Sequence, residues 1–253
     1  MTSSIRVEPV REVAVLHLGR GKANALDTEF CQDIVTSMDQ VRRAGYGAVV
    51  LTGTGGIFSA GVDLPRLHGG GRAYIANFLP ALSDAFLAIF DFPRPVVAAL
   101  NGHAIAGGAV LAAACDRRVA NAGHGRIGVT ELLVGVPFPL VALEILRYSF
   151  GNDRLAGLVF FGQTYPAEEA SRLGLVDELV DPQEVLPRAI EVATLLADIP
   201  SRTFAHTKAQ LHQPAHERIA EHRAGDDAFV EELWTSTEAL ASVKSYVDRV
   251  LGR

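Results

Sequence analysis

Cys31 and Cys115 are the only cysteines among 253 residues, and no CxxC pattern is present. That argues against a disulfide framework and fits a reducing, cytoplasmic setting. Positive charge is also scarce: 23 Lys and Arg stand against 29 Asp and Glu, a formal net charge of −6. Arg42-Arg43 and Arg117-Arg118 are isolated pairs rather than a basic block, so no nucleic-acid partner is expected. No apolar run approaches the ~20 residues of a membrane span, and the opening residues lack a basic-then-apolar leader pattern. No membrane partner is expected.

Several motifs are missing too. There is no GxGxxG after a strand and no GxxxxGK loop, so dinucleotide and P-loop chemistry lack support. No GxSxG elbow exists, because Ile57, not glycine, stands two residues before Ser59. His212, His216 and His222 suggest a metal cluster. However, the second histidine of a zinc-protease motif starting at His216 would fall at Ala220, and Pro214 interrupts the spacing between His212 and His216. Solvated histidines and no metal are therefore expected.

What the chain does have is 24 glycines, and two glycine-rich stretches each follow an apolar run. Val96 to Leu100 reads as a buried strand, and Asn101-Gly102-His103-Ala104-Ile105-Ala106-Gly107-Gly108 leads from it into the small residues of a packed helix. Ala48 to Gly53 reads as a second strand, followed by Gly55-Gly56-Ile57-Phe58-Ser59-Ala60-Gly61-Val62-Asp63-Leu64. A glycine-rich turn into a helix leaves N–H groups unpaired at the positive end of the helix dipole. Two such turns can bring two N–H groups to one oxygen, which is how an oxyanion hole is built.

Phe58 to Leu64, together with Asn101-Gly102 through Gly107-Gly108 to Cys115-Asp116, resembles the two signatures of the crotonase (enoyl-CoA hydratase/isomerase) superfamily. The resemblance spans nearly the whole chain. It implies an α/β fold, a crotonase-like spiral of ββα units over residues 1–199. Residues 200–253 would then be a C-terminal helical extension packing at the subunit interfaces of a homotrimer or hexamer. The residue patterns agree in outline. Ile5–Val10 and Val13–Leu18 read as a hairpin, Asp27–Ala44 and Ala73–Phe92 as helices, and Gly69-Gly70-Gly71 as a flexible break over a site. Arg117–Asn121 and Gly125–Val129 read as strands around a turn, and beyond Pro200 only helical patterns remain.

The resemblance also implies an acyl-CoA thioester substrate, with no cofactor beyond coenzyme A itself. Matched residue by residue, the oxyanion donors are the backbone N–H groups of Val62 and Gly107, and the catalytic base is Glu131. Lys22 and Ala23-Asn24-Ala25-Leu26 would flank pantetheine and phosphates, and Ser59-Ala60 the adenine end. Gly61, Leu64 and Gly108 complete the substrate-binding loops, with Asp63 pairing local backbone and Thr130 capping a helical turn. Val110, Pro137, Phe138 and Pro139 would wall the reacting centre against water. The family's hydratases carry a second glutamate where this chain has Val110. Other relatives carry an aspartate eight residues beyond the glutamate, where this chain has Pro139. One carboxylate suffices for moving a double bond from the 3- to the 2-position of an enoyl thioester, and that isomerase activity is the expectation. The rival readings are a hydratase recruiting another acid, with Glu144 as candidate, and a non-catalytic acyl-CoA binder.

Overall fold

The structure is a computed structural model and describes residues 4–250. β1 (Ile5–Val10) and β2 (Val13–Leu18) form the expected antiparallel hairpin. In α1 (Thr28–Ala44) the carboxylate of Asp27 caps the start, accepting from Phe30 N–H at 2.8 Å. Gly45, left-handed at φ 83°, closes the other end. Phe30, Ile34, Met38 and Val41 form the buried stripe that their helical spacing predicts.

The chain then repeats one unit three times. β3 (Ala48–Gly53), β4 (Ile57–Ser59) and α2 (Leu64–Phe90) make the first turn. β5 (Val96–Leu100), β6 (His103–Ile105) and α3 (Gly107–Ala113) make the second. β7 (Arg117–Asn121), β8 (Arg126–Gly128) and α4 (Glu131–Val134) make the third. In every turn the first strand joins a large sheet and the second a small one. Thus β3, β5 and β7 lie parallel side by side, and so do β4, β6 and β8. This is the spiral of ββα units that the resemblance implies. Asn101 stitches the first two turns together, accepting from Gly53 N–H at 3.1 Å and donating to Gly55 O at 2.7 Å.

The remaining elements are α5 (Leu140–Phe150), α6 (Asn152–Phe161), β9 (Thr164–Pro166), α7 (Ala167–Arg172) and β10 (Glu178–Val180), followed by α8 (Val185–Ala197), α9 (Ser201–Trp234) and α10 (Thr237–Val250). The large sheet runs β1-β2-β3-β5-β7-β10 and the small one β4-β6-β8-β9. Central strands of the large sheet are mostly apolar, and β5 entirely so, because both faces are covered. Val13, Val15, Ala48, Val50, Val97 and Ala99 meet Ala189 and Ala193 of α8. Their alternates Ala14, Leu16, Val49, Leu51, Val96 and Ala98 face the main core instead. Ala215, Ile219, Val230, Trp234, Ala239 and Val243 of α9 and α10 belong to that same main core.

The segments on either side of Ala122-Gly123-His124 are strands, as expected, and β7 and β8 part into different sheets. The glycine run Gly69-Gly70-Gly71 does mark a break, but as a kink rather than a loop: α2, capped by the Asp63 carboxylate on Arg66 N–H at 3.0 Å, is two helices joined across Gly71 (φ 57°, ψ −155°). The joined α2, 27 residues long, is long and apolar enough to cross a membrane by length and composition, yet half of its most apolar stretch is buried inside the protein. Pro214 sits within α9 without ending it, and His212 is buried rather than solvated. Burial lowers the pKa of His212 to about 3.

Candidate active site

Three loops in a row carry the candidate chemistry. Each follows a small-sheet strand in one of the three ββα turns: Ala60 to Asp63 after β4, Ala106-Gly107 after β6, and Val129-Thr130 after β8. Ser59 pairs with Ala104 across β4 and β6, and Ile105 with Gly128 across β6 and β8. Neighbouring strands lie ~4.8 Å apart, so the loops at their ends are brought alongside one another. A repeat in the fold thus gathers positions 62, 107 and 131, which lie far apart in sequence.

The first two loops present backbone. Leu26 N–H donates to Gly61 O at 2.8 Å, and Asp63 N–H donates to Leu26 O at 2.9 Å. In this parallel bridge the N–H of Val62, between those two partners, points away from Leu26. Gly107 opens α3, whose first N–H groups have no acceptor within the helix. The two loops pack closely. A Cβ on Gly61 would lie 2.8 Å from Ile105 O and 3.0 Å from Gly107 N, and one on Gly108 would lie 2.3 Å from Ser59 O. Ala106, between them, is held at φ 53°, outside the usual range for a non-glycine residue. Two N–H groups beside each other on a rigid backbone can hold a developing oxyanion.

The third loop presents a carboxylate. Glu131 begins α4, is 9% exposed, and has an oxygen, Oε2, with no hydrogen-bond partner. Burial raises its pKa to about 7, and the nearby N–H groups of Glu131 and Thr130 only partly oppose that rise. No basic side chain contributes. A carboxyl poised at that value gives and takes a proton readily at neutral pH. Beside it lies a cavity of about 70 Å³ lined by Ala60, Val62, Leu64, Ile105, Ala106, Thr130, Glu131, Val134, Val136, Trp234 and Tyr246. Glu131 is the only carboxylate in that lining.

The profile of the Enoyl-CoA hydratase/isomerase family matches residues 9–251. The chain belongs to that family. A probable enoyl-CoA hydratase, echA17 of Mycobacterium avium, is 35% identical over 224 residues, which are 87% of this chain and 86% of that one. The human mitochondrial enoyl-CoA delta isomerase 1 is 26% identical over 94% of this chain and 80% of its own length. The crystal structure of human mitochondrial delta3-delta2-enoyl-CoA isomerase superposes with a TM-score of 0.94, covering 98% of both chains at 26% identity. Both activities are thus represented among the family members that this chain resembles.

Against that family background, the sequence-predicted residues divide into two groups. Ala60, Val62, Leu64 and Glu131 line the cavity, and Gly61, Gly107 and Gly108 shape the backbone around it. Lys22 is exposed, and Ala23 and Ala25 are half-buried. Asn24, Leu26 and Ser59 do not present side chains to a ligand, because all three are fully buried. Asn24 donates to Ile57 O and Phe58 O, and the Ser59 hydroxyl donates to Asn24 O at 2.8 Å and accepts from Gly61 N–H at 3.2 Å. They hold one glycine loop against the other chain segment. Val110, Pro137, Phe138 and Pro139 do not line the cavity either. Val110 and Phe138 pack in the main core, and Pro137 O accepts from the Trp234 indole at 2.9 Å.

Other roles also shift. Glu144 is no second acid for this cavity, because its carboxylate accepts from Arg147 and Arg218 at 3.0 and 2.5 Å. Asp116, at the end of the second signature, accepts from Val96 N–H and from Lys208. Thr130 precedes α4 but makes no side-chain capping bond. Trp234 and Tyr246 were missed as cavity residues. The lone tryptophan near the end of a helical pattern was the available signal, but no local spacing ties it to loops more than a hundred residues earlier.

Proposed function

We propose that this family member is a Δ3,Δ2-enoyl-CoA isomerase with Glu131 as its single proton carrier. The observation that carries the reading is a buried, unpaired carboxylate alone among apolar walls beside two backbone loops. In a 3-enoyl thioester the C2 proton is acidified by both the carbonyl and the double bond. The Glu131 carboxylate takes that proton, and the negative charge spreads to the thioester oxygen, held by the N–H groups of Val62 and Gly107. Glu131 then returns the proton to C4, leaving the double bond between C2 and C3. No water is consumed, which suits the apolar lining from Leu64, Ile105, Val134, Val136 and Trp234. Hydration needs a water held and activated, which the family's hydratases do with two carboxylates; the cavity offers one.

Coenzyme A, as part of the substrate, would run along Lys22 and the backbone of Ala23 and Ala25 to the first glycine loop. The test is a paired assay with trans-3-hexenoyl-CoA and crotonyl-CoA, each repeated with Glu131→Gln. The expected result is conversion of the 3-enoyl ester to a 2-enoyl product, lost in the variant, without hydration of crotonyl-CoA. Hydration of crotonyl-CoA at a comparable rate would overturn the single-acid reading. Turnover unchanged by Glu131→Gln would overturn the role of Glu131.

A further inference from the structure

Three metal-ligating side chains gather where the end of α2 meets α9, sharing no residue with the cavity at Glu131. His212 and His216 stand four residues apart on α9 and therefore project from the same face. Asp91 follows directly after α2. One ligand atom from each of the three lies within 4.8 Å of the other two, and His216 Nε2 stands 3.0 Å from Asp91 Oδ1. Around a zinc ion, nitrogen and oxygen donors at ~2.0–2.2 Å lie roughly 3–3.5 Å from one another in a tetrahedron. One pair already has that spacing, and the third atom is within a small side-chain adjustment of it.

The three residues differ in freedom in a useful way. His212 is 2% exposed and fixed, stacked on the Phe90 ring at 3.7 Å and 6°, with the Tyr148 edge at 4.5 Å. Its imidazole makes no hydrogen bond among the described residues. His216 and Asp91 have side chains 42% and 45% exposed and can turn toward it. A cavity of about 280 Å³ opens beside them, bounded by Phe92 and Pro93, with room for a water as fourth ligand. Lys208, one turn earlier on α9, also borders this cavity and opposes a cation, but its ammonium is held by Asp116 at 2.9 Å.

We propose that Asp91, His212 and His216 form a binding site for a zinc-class divalent cation. The ligand set is two imidazoles and one carboxylate, with an open fourth position, a composition zinc accepts. Because α2 belongs to the ββα spiral and α9 to the C-terminal helices, the cation would staple one to the other. Bound only by the folded chain, it would raise the unfolding temperature.

The test uses the full chain, stripped with a chelator and titrated with zinc chloride against a chromophoric competitor, with cobalt chloride as a spectroscopic probe. The expected result is one zinc per chain, visible cobalt d–d absorption of low-coordinate type, and a higher Tm with zinc. His216→Gln and Asp91→Asn, both at partly exposed positions that need not disturb folding, are expected to weaken zinc binding by more than about tenfold, since even loss of a supporting partner costs that much. His222→Gln, on the same helix but outside the cluster, should leave it unchanged. Absence of micromolar zinc uptake, or uptake indifferent to His216→Gln and Asp91→Asn, would overturn the assignment and leave an ion pair beside an aromatic stack.

Discussion

Two buried glutamates thirteen positions apart meet opposite fates. Glu144 on α5 is 2% exposed, and two arginines, Arg147 and Arg218, donate to its carboxylate. Glu131 is 9% exposed, has no cationic neighbour among the causes that set its pKa, and leaves one oxygen unpartnered. Burial alone does not make a carboxylate reactive. Paired, the group is a structural anion; unpaired beside an open cavity, it is driven toward neutrality and can exchange a proton. Glu131 is thus the buried acid whose chemistry the fold leaves unspent.

The sharpest way to break the comparison is to neutralise each residue in turn. Glu131→Gln is expected to lower kcat/KM by roughly 10²–10⁴-fold, the usual contribution of a positioned proton carrier, while the protein stays folded. Glu144→Gln should leave kcat/KM within a few-fold. Next in size is the backbone beside the acid. Gly61→Ala puts a Cβ 2.8 Å from both Ala106 Cβ and Ile105 O at φ 85°, so the two donor loops must move apart. Loss of one oxyanion donor costs roughly 10²–10³-fold in kcat, and steady-state kinetics on the 3-enoyl ester would show it.

The pH dependence tests the unpaired group. Burial raises Glu131 from its ordinary 4.5 to about 7, so the folded protein binds this proton more tightly than the unfolded chain does. The stability it contributes is present below pH 4.5 and lost as pH rises through 7, a change of about 3 kcal/mol at most. Denaturant unfolding of the wild type against Glu131→Gln at pH 5 and 8 should show the variant gaining relative stability at the higher pH. Activity runs the other way: kcat/KM should rise with pH to a plateau above an inflection near 7, because the base must be ionised. A variant without that gain would mean the carboxylate is better solvated than its surroundings indicate. Glu144→Ala, by contrast, removes the partner of two arginines whose side chains are 31% and 43% exposed. Water can recover part of that loss, so destabilisation of about 2 kcal/mol is expected, read from the urea midpoint.

How much of this was legible beforehand follows physical range. Local signals worked: the Gly45 stop and the Phe30-Ile34-Met38-Val41 stripe specify α1 from adjacent residues alone, and the fold adds Asp27 as its cap rather than its first residue. The two glycine loops and Glu131 were legible through motif resemblance, and the structure places the loop backbone and Glu131 around one cavity. The alternation of Val13, Ala14, Val15 and Leu16 between two cores needed both partners of the sheet to be known. The same holds for Asn24 and Ser59. The resemblance puts them beside coenzyme A, and in the fold their side-chain hydrogen bonds are consumed between the 24–26 and 57–61 segments. His212 misled for a related reason: a histidine beside a proline on a polar helix looks solvated until Phe90 and Tyr148 arrive from elsewhere.

The cavity wall at Trp234 gives the smallest and most discriminating effect. Its indole N–H donates to Pro137 O at 2.9 Å, its ring centroid lies 6.4 Å from that of Phe78, and it lines the cavity that Glu131 shares. Trp234→Phe removes the hydrogen bond while keeping an aromatic wall, so a loss of about 1 kcal/mol in stability is expected. The Glu131 pocket stays apolar in that variant, and the inflection of kcat/KM should remain near 7. If the ring serves only as core packing, KM for acyl chains of different length would shift together or not at all. If it bounds the acyl end of the substrate, the smaller ring should lower KM for a longer 3-enoyl ester relative to trans-3-hexenoyl-CoA while kcat is kept. A shift of the pH inflection toward 4.5 would instead show that Trp234 keeps water from the carboxylate. That outcome would extend the comparison by tracing the unspent acid to a wall contributed by the C-terminal helices.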